Sequence, residues 1–530
     1  MVIVPNSRIR LLKCPIEMDN ENQLTFANLT AQTNYFLSLT YLEETNCTYQ
    51  RKDGVIRFET DPDGITFEDL LKYNYVMYQN TSYSNKWFYA FIKNIKYVND
   101  GLSEITIETD TFQSWQFSIV YKRTFVEREH VNNDTLGLHT VPEHLELGPY
   151  VVNSYLVDSY NNQLCIVVGS TEDFLDNYNF GVNIYNGIPG PLYYYRYNLP
   201  TGNSTGDMQA LADALAAIAS AGKTDAIVSM FLCPTWLAAS YVGTTKKIAT
   251  SNTYASQNLG ISRISTLNGY TPKNNKLLCW PFCYIALSNG VGQYSIYHQE
   301  DWTLTSNEMK VGMYGSLVSG CSIRAVPLNY KGADVNWDEG ISLGKFPALA
   351  WPNDIYTNWL TQNGVNIFGI TLNAEQKGLL GGAVQSLAGA YAGNYNQMGQ
   401  GIGNMFETLK ESYQMDIVPT GVKGSLNSGD IATSFGANRL HAFRVTIKQE
   451  YAKIIDKFFS AYGYKVNDFK TPNITGRTNW NYVKTINCNI EGEIPQEDIQ
   501  KLKSMFNNGV TFWHNPTTFL DYSQNNTIVT

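Results

Sequence analysis

WFYAFIKNIKYVNDGLSEITIETD, residues Trp87 to Asp110, sets the fold class. Two runs rich in aromatic and β-branched residues flank Asn99-Asp100-Gly101, residue types suited to the positive φ of a tight hairpin turn. From Trp87 to Ile92 the first run is apolar on both faces, so that strand is expected to be covered on two sides, by another layer or another subunit. The neighbouring segments SRIRLLKCP, VIRFETD after Asp53-Gly54, and YNYVMYQN read as further strands. Together they predict an antiparallel β-domain over the first 125 residues.

Composition extends this reading to the rest of the chain. Charged residues make up only 16%, aromatics reach 13% with 36 tyrosines, and Asn, Thr and Gly are plentiful. That mixture favours twisted sheets joined by many turns. A length of 530 residues exceeds one ordinary core and implies roughly two to four domains. A net charge of −9 and a pI near 5.3 argue against tight phosphate binding, which rests on clustered Lys and Arg. Such an acidic surface lets DNA pass without sticking. The start, MVIVPNSRIRLLKCP, lacks the pattern of a secretory signal, so none is expected. Eight cysteines are too sparse for a disulfide scaffold and read as reduced, buried small hydrophobes.

From Val126 the chain reads as loop-rich, returning to strands at NQLCIVVGS and YYYRYNLP. An alanine-rich helix is expected from Asp207 to Ala221, closed by Gly222. Strands resume through LLCWPFCYIALSNGVGQYSIYH, with a hairpin at Asn289-Gly290, and through MKVGMYGSLVSGCSIRAVPL. Pro352-Asn353-Asp354 opens a short helix through Trp359. The last hundred residues read as an α+β unit. There Tyr451, Ile454, Ile455, Phe458, Phe459 and Tyr462 form a helical stripe ended by Gly463, and Pro495 starts a helix to Asn507, capped by Gly509 and followed by the strand VTFWH. The predicted class is therefore mainly β with α+β parts.

One segment breaks the pattern. Gly378 to Phe406, GLLGGAVQSLAGAYAGNYNQMGQGIGNMF, contains no charge. After Leu379, its bulky apolar residues Leu380, Val384, Leu387, Tyr391, Tyr395, Met398, Ile402 and Met405 recur at steps of three or four, the helical period, and Phe406 closes the run. Small residues pair as Gly378 with Gly382, Gly389 with Gly393, and Gly399 with Gly403, a spacing that lets helix backbones approach closely. Its eight glycines would cost an isolated helix on the order of 4–8 kcal/mol, so the segment needs another surface. A helix here would reach roughly 43 Å, but Gln385, Asn394, Asn396, Gln397, Gln400 and Asn404 make it too polar for a resident membrane span. It reads either as a conditional membrane-active segment or as a glycine-rich hairpin or flexible insertion.

Motifs for chemistry are weak. Glu129, His130, His139, Glu143, His144 and Glu146 cluster in one loop, but no HExxH or H-x-H spacing supports a metal. Cys279-Trp-Pro-Phe-Cys283 lacks a second pair, and its inner residues look like core. Gly222-Lys223-Thr224 resembles the end of a phosphate loop, but Ala217 stands where the first glycine is required. No GxSxG elbow occurs, and Asp61 and Asp63 sit in an ordinary turn, so neither an enzyme nor a cofactor is expected.

Several stretches carry a resemblance. Tyr78-Gln-Asn, Asn85-Lys-Trp-Phe-Tyr-Ala-Phe91, Glu108-Thr-Asp110, Gln113-Ser-Trp115, Arg128-Glu-His-Val131 and Glu143 to Gly148 are similar to the tail knob, or distal tail tube, proteins of short-tailed phages of Gram-positive bacteria. The C-terminus resembles them most closely, through Phe459, Tyr462-Gly-Tyr-Lys-Val466, Pro472-Asn473, Asn481-Tyr-Val483, Cys488 and Asn508-Gly-Val-Thr-Phe-Trp-His514. Pro281-Phe-Cys283 and Arg324 to Asn329 extend it into the middle.

The resemblance implies a virion structural protein, assembled in the host cytoplasm. It implies a hexameric β tube that abuts other tail proteins of the proximal tube or lower collar and passes double-stranded DNA. It also implies a long apolar insertion from each subunit, lying in the lumen and able to emerge against the host membrane. On this reading residues 1–125 form a tube domain, 126–350 a central knob with a short helical insert, 351–372 a connecting helix region, 373–430 the luminal insertion and 431–530 a C-terminal tube domain. Gly378 to Phe406 would be the plug, through its apolar residues from Leu379 to Phe406. The rival reading is a tail adhesin binding cell-wall carbohydrate through its central region, with a cell-wall hydrolase behind it.

Overall fold

A computed structural model describes residues 7–47, 50, 52–61, 63–80, 84–158, 164–171, 173, 193–198, 206–207, 209–211, 213–214, 226–238, 246–248, 255–290, 293–303, 308–315, 322–345 and 440–529. These fall into two compact units: Met1–Leu147 with Pro272–Leu277 and Gln449–Thr530, and Gly148–Thr271 with Leu278–Lys448. The chain passes between the units at 147/148, 271/272, 277/278 and 448/449. The protein is mainly β, with several antiparallel sheets and a few helices.

The first segment contributes β1 (Ser7–Leu12), β2 (Asn22–Leu24), α1 (Leu29–Ser38), β3 (Tyr41–Cys47), β4 (Val55–Glu59) and α2 (Phe67–Leu70). There follow β5 (Tyr75–Asn80), β6 (Trp87–Asn99), β7 (Leu102–Thr109), α3 (Thr111–Trp115), β8 (Val120–Tyr121) and β9 (Thr124–Glu129). Six of the strands form an antiparallel sheet ordered β3-β1-β5-β6-β7-β4. The two-sided run in β6 is covered on both faces within this unit. Tyr89 and Phe91 pack with Leu12, Phe36, Tyr75, Trp480 and Trp513, while Ala90 packs with Val76, Ile105, Ile107 and Phe58 on the other side. The β6–β7 hairpin turns at Asn99 to Leu102 without a positive φ at Asn99, Asp100 or Gly101. The Asn99 side-chain oxygen accepts the Gly101 N–H at 3.0 Å, and a register shift between Tyr97 and Asn99 absorbs the extra residue.

The second unit carries β10 (Tyr150–Asp158), β11 (Leu164–Ser170), β12 (Tyr193–Asn198), β13 (Ile227–Pro234), β14 (Ala255–Ser262) and β15 (Cys283–Ser288). It continues with β16 (Tyr294–Tyr297), β17 (Glu308–Gly315), β18 (Ser322–Tyr330), β19 (Ala333–Val335), β20 (Ile341–Lys345) and β21 (Leu440–Ile447). Its sheets run β10-β21-β15-β16, β12-β11-β13, and β14-β17-β18-β19 with β20 also on β18. One core cluster, including Val167, Phe231, Ile285, Tyr297, Trp302, Val311 and Ala442, draws on all three. The Asn289-Gly290 turn takes the expected form, with Gly290 at φ +72°. Trp280, expected in the core, is 40% exposed, while its neighbour Phe282 is buried. Of the predicted alanine-rich helix, Asp207 is described as a turn, and 209–211 and 213–214 are helical.

The last segment returns to the first unit as α4 (Gln449–Tyr462), β22 (Tyr464–Lys470), β23 (Trp480–Ile486), β24 (Ile490–Glu491), α5 (Gln496–Asn508) and β25 (Val510–Trp513). Chain ends interleave in the sheet β2-β25-β23-β9-β22, whose β2–β25 pair alone is parallel. The buried face of α4 comprises Ala452, Ile455, Asp456 and Phe459, whereas Ile454 of the predicted stripe is 66% exposed. The reason is a core carboxylate: Asp456 accepts the N–H groups of Lys273 at 2.9 Å and Asn274 at 3.1 Å, which ties residues 272–277 to the helix.

Gly463 ends α4 at φ +64°, and a Cβ there would lie 2.2 Å from the Glu129 carbonyl oxygen and 2.5 Å from the His130 nitrogen. These nearest atoms are all backbone, so no flexible side chain can yield. Gly463→Ala is expected to cost roughly 3 kcal/mol, read as a lowered urea midpoint. An unchanged midpoint would remove this assignment.

Candidate functional site

The sheet β10-β21-β15-β16 presents two chemically different faces. Its register places Val152, Val445 and Tyr284 in one row, Tyr155, Phe443, Ala286 and Ile296 in the next, and Val157, His441, Ser288 and Tyr294 in a third. Because side chains alternate across a strand, these rows share one face. The intervening residues Ile285, Leu287, Tyr297, Ala442 and Leu440 point into the core and are buried. Much of the outer face is open, with Val152 55%, Tyr155 66% and Tyr294 68% exposed, although Val445 in its first row is buried. Rings tile it, with Tyr155 to Phe443 at 6.3 Å, His441 to Phe443 at 6.0 Å, Tyr150 to Tyr284 at 5.4 Å and Trp280 to Tyr284 at 5.5 Å. No Asp, Glu, Lys or Arg stands in its three rows. A contiguous uncharged aromatic face of this kind marks an interaction surface.

Its second strand, β21, begins at Leu440, whereas β20 ends at Lys345, and the residues between them lie outside the described ones. The uncharged segment Gly378 to Phe406, with its apolar row from Leu379 and its paired glycines, lies outside the described residues. So do the helix expected at 352–359 and the Gly222-Lys223-Thr224 sequence.

In the first unit the resembling stretches converge on buried polar bonds. Asp110 caps α3 through the Gln113 N–H at 3.0 Å and accepts the Tyr75 hydroxyl at 2.8 Å. Burial still pushes its pKa up to about 6. Gln113 donates to the Leu24 carbonyl at 2.7 Å, and the Trp115 indole donates to Asp498 at 2.9 Å. N-terminal and C-terminal halves are thereby tied by groups that cannot be exchanged for apolar ones singly.

The loop that gathers Glu129, His130, His139, Glu143, His144 and Glu146 engages neighbouring strands and α4. Glu129 pairs with Lys470 and accepts the Asn473 N–H at 2.9 Å. The Nδ1 of His130 accepts the Tyr482 N–H at 2.8 Å, and Glu143 holds Arg128, Lys276 and the Lys465 N–H. His139 Nε2 lies 2.7 Å from the Asn133 carbonyl oxygen. Among the described residues no three His, Cys, Asp or Glu side chains converge as a metal site. A groove in this unit is lined by Asp19, Glu21, Glu108, Tyr462, Tyr482 and Lys501. Its Glu108 is engaged by Lys93 at 2.7 Å and Lys501 at 3.2 Å.

A β scaffold whose polar groups brace strands, with a largely open aromatic face, has the character of a structural component of a larger assembly. Residues 5–122 match the family model for the caudoviral major tail protein N-terminus. Residues 241–527 match the model for the C-terminal domain of the Bacillus phage phi29 tail knob protein gp9, and the chain belongs to that tail knob family. The tail knob protein gp9 of Bacillus phage PZA is 26% identical, with 97% of this chain and 98% of that protein covered. Its counterpart in phage phi29 is 24% identical over the same shares. The tail knob protein gp12 of bacteriophage C1 shares the fold, with a TM-score of 0.62 at 16% identity across 99% of this chain and 100% of that one. The protein is thus a non-enzymatic tail component of the virion and assembles with other tail proteins.

Proposed function

We propose that the chain forms a homo-hexameric distal tail tube through which the genome leaves, with Gly378 to Phe406 of each subunit plugging the lumen and then engaging the host membrane. The observation that carries the reading is the uncharged aromatic face of β10-β21-β15-β16, largely exposed on a single chain and containing β21, the first described strand after the proposed insertion. Sister copies covering such faces would bury apolar surface that one chain leaves in water. The tube role falls to residues 1–125 and 431–530, much of which builds one compact unit, and the knob role to 126–350. Residues 351–372 connect to the insertion, 373–430. The partners are sister subunits, the proximal tube or lower collar, and passing double-stranded DNA held by no specific contact. The net charge of −9 supports free passage.

Negative-stain images and native mass should show sixfold rings; a monomer at every concentration would overturn the tube. Removal of Gly378 to Phe406 should leave the rings intact and reduce dye release from liposomes to the protein-free level. Release equal to that of the intact chain would remove the membrane step. The exposed rings of Trp280, Tyr155 and Tyr294 also favour one alternative, stacking on cell-wall carbohydrate. Glycan binding by the full chain that Trp280→Ala abolishes would move the reading there.

A further inference from the structure

In the sheet β12-β11-β13, Cys165 of β11 stands directly opposite Cys233 of β13. Directly opposed residues of antiparallel strands hold their Cα atoms roughly 4.5–5.5 Å apart, inside the span of a disulfide. The two sulfur atoms lie 3.6 Å from each other, both residues fully buried beside Val167 and Phe231. Neither carries a disulfide. Small side-chain rotations would close the gap to bonding distance without moving either strand.

We propose that Cys165 and Cys233 form a cross-strand disulfide when the particle passes from the reducing cytoplasm to an oxidising medium, the oxidant being a small peroxide. One thiol, losing its proton, attacks a peroxide oxygen. The O–O bond breaks and gives a sulfenic acid and water. The second thiol, losing its proton, attacks that sulfur, the S–O bond breaks and a second water leaves. Two thiols are oxidised by two electrons and one peroxide is reduced to two waters. The bond clamps β13, an outer strand of its sheet, to the central β11, and closes the loop from residue 165 to residue 233. A virion component profits from a cross-link made only after assembly, because folding in the host proceeds without it. The bond does not depend on whether the chain is hexameric.

The test uses the full-length chain purified under reducing conditions, then exposed to hydrogen peroxide, unfolded with an alkylating agent and digested. The expected result is a Cys165–Cys233 linked peptide, lighter by two hydrogens than its parts and absent after dithiothreitol. The oxidised chain should also melt roughly 5 °C or more above the reduced one, a shift that Cys233→Ala lacks. Recovery of both cysteines as alkylated thiols, at peroxide levels that fully oxidise the half-buried Cys47, would overturn the proposal. An unchanged melting point in a fully linked sample would overturn the clamp.

Discussion

Glu143→Ala is expected to destabilise the first unit by roughly 3–5 kcal/mol, the largest effect of any single substitution considered in this chain. The Glu143 side chain is 2% exposed and carries salt bridges to Lys276, 3% exposed, and Arg128, 13% exposed. Its Oε1 also accepts the Lys465 N–H at 2.9 Å. Truncation would leave two cations buried together, with no anion and little water, and would orphan a strand N–H. The cost is therefore that of an uncompensated buried charge, not of one surface ion pair, which is worth under about 1 kcal/mol. Lys276 belongs to the short 272–277 excursion, so the same change should loosen that segment from the unit. Urea unfolding followed by tryptophan fluorescence measures the loss. Glu143→Leu combined with Lys276→Met should recover about half of it, since the anion leaves together with its most buried partner. A midpoint for Glu143→Ala within error of the parent would refute the assignment.

Glu143 also shows where sequence reasoning stops. Its residue type and its neighbours His139, His144 and Glu146 are what a metal loop would use, and only the fold reveals that its partners stand at positions 128, 276 and 465. Contacts between residues that distant leave no periodic trace. Local features did leave one. The β6–β7 hairpin, the Gly290 turn, and α5 between Pro495 and Gly509 occur where residue types place them, because each is decided within a few residues.

The aromatic face was hidden for a different reason. Tyr150 to Asp158 reads as part of a loop-rich stretch, yet it is an outer strand. A register shift between Val152 and Ser154 inserts a residue, so Val152 and Tyr155 share a face although three positions separate them. That breaks the period of two on which strand recognition depends. Likewise Ile454 completes a helical stripe by spacing but faces solvent, because α4 turns a hydrogen-bonded Asp456 inward. The family membership came through side chains such as Asp110, Gln113, Trp115, Glu129 and His130, and these are the buried polar braces of the first unit.

Acidification from pH 7 to pH 4 is expected to remove a further several kcal/mol of stability, with His130 as the main source. The imidazole is buried between Tyr482 and Ser460, Nδ1 accepting the Tyr482 N–H at 2.8 Å and Nε2 lying 3.1 Å from the Ser460 carbonyl oxygen. This fixes the neutral tautomer with its proton on Nε2. A proton added to Nδ1 would meet an N–H instead of an acceptor. Burial first, then the nearby charge of Arg477, hold its pKa down to about 3, with Arg128 and His514 acting in the same direction. An unfolded histidine takes up its proton near pH 6.5. The stabilisation is therefore complete above about pH 6.5 and is lost as pH falls towards 3, by about 1.4 kcal/mol for each pH unit. Burial likewise pushes His514 down to about 4, adding a loss of the same sign. Asp110 acts oppositely. Its folded pKa of about 6 exceeds that of an unfolded carboxylate, so protonation between pH 6 and 4 favours the fold and offsets part of the loss. The net change between pH 7 and pH 4 should be on the order of 4 kcal/mol. His130→Asn keeps an acceptor near Tyr482 but does not titrate. It should be less stable at pH 7 yet lose about 3 kcal/mol less on acidification, whereas Asp110→Asn should make the loss steeper. Urea midpoints at pH 7, 6, 5 and 4 decide the matter: a His130→Asn chain with the parent's pH slope would place the acid sensitivity elsewhere.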